Sequence, residues 1–120
     1  MTPAGFLAHL LAAHLAVPEP ITLKIDPGPV GFDGYSARYD ATISRQHERG
    51  GAWLIRYDAK ALAASRPSRW QFVLAHEVCH AIYEYDTNWP SLTDKERARR
   101  HKITNACARG AIRAHEELCR

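Results

Sequence analysis

Sulfur is scarce in this chain. Its 120 residues include one methionine, Met1, and three cysteines, Cys79, Cys107 and Cys119. An odd cysteine count without paired spacing argues against a disulfide scaffold and for a reducing compartment. There is no CxxC pair, which argues against a zinc ribbon or a thioredoxin-type site. No apolar run reaches the roughly 18 residues that a membrane-spanning helix needs, so no membrane segment is expected. The start, "MTPAGFLAHLLAAHLAVPEP", lacks the positive region of a signal peptide and carries His9 and His14. It reads as an amphipathic helix, and the expected setting is the cytoplasm. Excess charge is small too: the net charge of +3 does not by itself imply nucleic acid. Repeats, low-complexity tracts and linkers are absent, so residues 1–120 are expected to form a single domain.

Against these absences stand seven histidines, the natural place to look for chemistry. The chain around them divides by hydrophobic period. Thr2 and Pro3 open a helix whose apolar positions are Phe6, Leu7, Leu10, Leu11 and Leu15, and Pro18 and Pro20 stop it. "ITLKI" (21–25), "YSARYDATI" (35–43) and "AWLIRYD" (52–58) read as strands, with Trp53, Ile55 and Tyr57 sharing one face. "RQHERGG" reads as the connection of a hairpin. "AKALAASRPS" is a short helix or a loop. Ser68 and Gln71 have capping-box spacing, which places the start of a helix near Arg69 and its end near Tyr85. Thr93 and Glu96 form a second capping box, opening a last helix from about Asp94 to Leu118. The expected fold is α+β: an N-terminal helix, a small three-stranded antiparallel sheet, and two helices packed on it.

The first of those two helices carries "QFVLAHEVCHAIYEYD" (71–86). His76-Glu77-Val78-Cys79-His80 is an HExxH motif. Residues four apart lie on one helical face, so His76 and His80 can bind one metal ion. Glu77 sits beside the first ligand, placed to act as general base towards a water on the metal. Zinc suits nitrogen ligands and an open fourth position. The flanking Phe72, Val73, Leu74, Ala75, Ala81 and Ile82 point to burial. Burying two histidines and a glutamate without partners would cost several kcal/mol, a cost that a metal removes. Cys79, turned away from His80 on the helix, reads as a small buried hydrophobe.

A catalytic zinc needs a third protein ligand. His101 lies on the last helix in a stripe with Asn105, Ala108 and Ile112, the stripe suited to face the HExxH helix. It is the preferred ligand, with Asn105 placed to hydrogen-bond a ligand imidazole. Glu96 and Asp86 are the alternatives. Glu96 is already engaged by the capping box. Asp86 has the spacing of an HExxHxxGxxD site, but Tyr83 stands where that pattern needs glycine, and a Met-turn is impossible with Met1 alone.

"RWQFVLAHEVCH" (69–80) and, more loosely, "HKITNACA" (101–108) resemble the ImmA/IrrE family of gluzincin-like zinc metallopeptidases. SprT-like peptidases share the plan and are the second choice. The resemblance spans residues 35 to 112. It places His101 where the family has a ligand glutamate, and "AWLIRYD" where the family has an edge strand. It implies a zinc-dependent endopeptidase with one Zn2+ per chain, acting on a protein or peptide such as a repressor-like regulator. Glu77 would be the general base, and Tyr83 and His115 are candidate donors to the oxyanion. Two rivals remain: a metal-stabilised binding module without catalysis, and a nucleic-acid binder using the basic last helix. Nucleic acid is not favoured, because charge runs on helices are usually solvated faces.

Overall fold

Two of the four helices among the described residues begin on proline, which lacks the N–H that a first helical turn cannot use. In the computed structural model the order is α1 (Pro3–Ala13), β1 (Ile21–Asp26), β2 (Ala41–Arg45), β3 (Trp53–Asp58), α2 (Ala59–Ala63), α3 (Pro67–Glu84) and α4 (Asp94–Leu118). The structure describes residues 2–13, 15, 21–26, 41–45, 53–84 and 91–118. Helices dominate these residues.

Caps set the boundaries. Thr2 Oγ1 accepts from the Gly5 N–H at 3.0 Å and starts α1. The Asp58 carboxylate accepts from the N–H groups of Lys60 and Ala61 at 3.0 and 3.1 Å, turning the end of β3 directly into α2. The Thr93–Glu96 box forms as its spacing predicts. Glu96 donates its N–H to Thr93 Oγ1 at 3.1 Å, and Thr93 N–H donates back to Glu96 Oε1 at 3.3 Å. The Ser68–Gln71 box does not set the start of α3. That helix begins at Pro67, so Ser68 already lies inside its first turn.

The sheet corrects the expected topology. Its order is β1-β3-β2, with β3 in the middle. β2 pairs antiparallel with β3 in hairpin register, from Ala41↔Tyr57 to Arg45↔Trp53. β1 runs parallel to β3, from Ile21↔Trp53 to Asp26↔Asp58, so the sheet is mixed. Of the second expected strand, Ala41–Arg45 is seen as β2, and residues 35–40 lie outside the described residues. The strand expected at an edge, β3, is central, and of its residues only Arg56 is exposed. A strand paired on both sides has no free backbone to offer a substrate.

α3 is the hub, packing against α1, α4, β2 and β3. Its core side meets Phe6, Leu10, Ile55 and Leu62, while Ala108 and Ala111 join from α4. Phe6 stacks edge-on with Trp70 at 5.4 Å and with His115 at 5.2 Å between ring centres. That contact ties α1 to both long helices.

The α3–α4 seam holds small residues. Ala75, Cys79, Thr104 and Ala108 are all fully buried. Thr104 satisfies its buried hydroxyl by donating to the Arg100 carbonyl at 3.0 Å. Cys79 and Cys107 form a disulfide across the seam, with Cα atoms 6.1 Å apart. Cys79 is fully buried, as expected, but bonded to Cys107, and the cysteine-count argument against a disulfide scaffold did not anticipate this bridge. With that argument goes the ground for assigning a reducing compartment. Counting parity missed the pair because one cysteine of three can stay outside a bridge. None of the described helices is long and apolar enough to cross a membrane.

Candidate metal centre

His76 and His80 sit one turn apart on α3, and helical pitch alone puts their rings together. Their ring centres are 4.4 Å apart and nearly perpendicular. The two Nε2 atoms lie 2.9 Å apart. α4 crosses beside them and delivers His101, whose ring stacks on His76 at 5.6 Å and meets His80 edge-on at 5.1 Å. One nitrogen from each of the three rings falls within 4.8 Å of the others. No other group of three potential ligands forms among the described residues.

The residues fit a metal ion. Zinc bonds of about 2.0–2.1 Å in tetrahedral geometry set ligand nitrogens roughly 3.4 Å apart. The 2.9 Å pair and the 4.8 Å limit bracket that value. His80 is buried, His76 half-buried and His101 exposed, which leaves the group open on one side. Three nitrogens and an open direction are what a catalytic zinc requires.

The electrostatics also favour neutral ligands. His76 is pushed down from 6.5 to about 4, first by burial and then by the positive charges that His80 and His101 would carry. A hydrogen-bonding contact with the Asn105 side chain opposes the fall. Nδ1 of His76 is buried and receives no hydrogen bond of full geometry among the described residues. Asn105 lies one turn beyond His101 on α4.

The remaining candidates separate clearly. Glu77 is buried at 9% exposure on α3, immediately after His76. Glu96 stays with its cap. Its carboxyl is held below the usual range by hydrogen bonds from Thr93, and it takes no part in the histidine group. Tyr83 is 48% exposed, one turn beyond His80. His115 lies about 21 Å along α4 from His101, at 1.5 Å per residue, and packs against His9 with ring centres 4.7 Å apart. The structure does not bring it to the cluster. Asp86 falls outside the described residues.

The disulfide is the feature of this region that the motif did not reveal. Cys79 precedes His80 by one residue, and Cys107 lies six residues after His101. The only signal was indirect: both cysteines border the stripes that place the histidines. No family model, curated protein or solved structure matches the chain.

Proposed function

We propose that the chain is a metal-dependent peptidase whose ion, zinc by preference, is held by His76, His80 and His101. One observation carries this reading. An HExxH helix and a crossing helix bring three imidazole nitrogens within 4.8 Å, beside a buried glutamate. Zinc in such a site lowers the pKa of a water and polarises a carbonyl oxygen. The chain's own residues do the rest. Glu77 accepts the proton of the attacking water and passes it to the leaving amine. Its burial leaves few competing waters to hold that proton. Asn105 orients the His76 ring through the contact noted above. The exposed side, at His101, is where a peptide enters.

The resemblance of "RWQFVLAHEVCH" to ImmA/IrrE peptidases supports the same reading and suggests a protein substrate such as a repressor-like regulator. An extended peptide cannot join β3, so edge pairing falls to β1 or β2, and β2 is the one packed on α3.

The test is hydrolysis of an unstructured protein by the zinc-loaded chain and by Glu77→Gln. The variant should keep its metal and lose about 10²–10⁴ in rate. Equal rates would remove Glu77 from the mechanism. Metal binding without any hydrolysis across a broad substrate panel would favour the non-catalytic binding module.

A further inference from the structure

We infer that the Cys79–Cys107 disulfide is a positioning clamp for the three-histidine site, and that its reduction weakens metal binding. The inference rests on the metal-binding reading above. Two ligands, His76 and His80, belong to one helix and keep their spacing whatever that helix does. The third comes from α4. Its placement depends on how α3 and α4 are held together. The bridge is the one covalent tie across that seam among the described residues, with Cα atoms 6.1 Å apart.

Its surroundings make it matter. Ala75, Cys79, Thr104 and Ala108, fully buried on the two helices, are all small. Small side chains allow close approach but bury little area to enforce it. His101 is exposed on one side, and its ring contacts with His76 and His80 are made only while α4 stays in place against α3. Without the bridge, α4 can shift along α3. A shift of about 1 Å at a ligand nitrogen is large against metal–ligand distances, which hold to within about 0.2 Å.

The bridge is also open to chemistry from one side. Cys79 is fully buried, whereas Cys107 is only half-buried. A small-molecule thiolate attacks Cys107 Sγ, forming a mixed disulfide and releasing Cys79 as thiolate, which takes up a proton. A second thiolate then frees Cys107. The chain gains two electrons and two protons, and the two small thiols leave as their own disulfide.

The experiment is a titration with cobalt(II), followed by its visible absorption, on three samples at one pH. They are the oxidised protein, the protein reduced with a phosphine that is then removed, and Cys79→Val/Cys107→Ala. The last removes the link without leaving thiols to bind metal. The clamp predicts cobalt affinity at least about tenfold lower in the reduced and substituted proteins, the scale set by outer-sphere support of metal ligands. Reoxidation should restore the wild-type value, and circular dichroism should show helix content retained. Equal affinities in all three would overturn the clamp while leaving the metal site intact. Loss of helix in the double variant would make the bridge a folding staple and likewise overturn it. Failure of the oxidised protein to bind cobalt would sink the metal reading itself, and the clamp with it.

Discussion

Nε2 of His80 lies 2.9 Å from Nε2 of His76. At that distance one nitrogen donates and the other accepts, so the two rings share a proton and cannot both be charged. A metal ion bound by both Nε2 atoms would displace that proton.

That relationship makes the metal-free protein sensitive to acid. The ordinary imidazole value is 6.5, and His76 in the fold lies at about 4. Between these values the unfolded chain binds more protons than the folded one. The contribution to stability is therefore complete above about pH 6.5 and is lost as pH falls towards 4. Taken in full, the shift corresponds to about 3 kcal/mol. The ring is only partly buried, so about 1–2 kcal/mol is the expected loss. Urea unfolding of metal-free protein at pH 7 and pH 5 measures it. A His76→Gln variant should show a flatter dependence.

His101→Ala should abolish stoichiometric metal, measured by elemental mass spectrometry. The loss in affinity should exceed the ten- to hundredfold associated with outer partners of metal ligands. Asn105→Ala should fall within that smaller range, because Asn105 touches His76 and not the ion. Glu96→Ala should leave metal content unchanged. Metal lost with Glu96→Ala but kept with His101→Ala would contradict the histidine group.

Glu96 and Thr93 should show their worth in stability instead. Thr93→Ala removes the hydroxyl that accepts the Glu96 N–H, so α4 loses an N-cap at a cost of about 1 kcal/mol. Thermal denaturation reads this directly. No change in midpoint would mean that the first turn of α4 frays without consequence.

Gly110 offers a change in the opposite direction. It lies exposed in the interior of α4, and a Cβ added there would meet nothing within 4 Å. Gly110→Ala should stabilise the protein by about 1 kcal/mol through helix propensity alone. A drop in stability would reveal a close approach at that face.

Local rules carried much of this protein. Pro3, Thr2 and the Thr93–Glu96 pair set helix ends because a cap depends only on residues within one turn. The pairing of His76 with His80 follows from the helical repeat alone, so the core of the candidate site was legible before any fold was known. The alternation around Trp53, Ile55 and Tyr57 announced a strand. It could not announce that the strand would be central, because position in a sheet is decided by partners far away in sequence.

Tertiary structure decided the rest. It made β1 parallel to β3, it chose His101 over Glu96, and it joined Cys79 to Cys107. Each is a matter of which elements pack together, and packing responds to the summed burial of several faces rather than to any one segment. The motif specified two nitrogens through helix geometry. Only the crossing of α4 over α3 could supply the third.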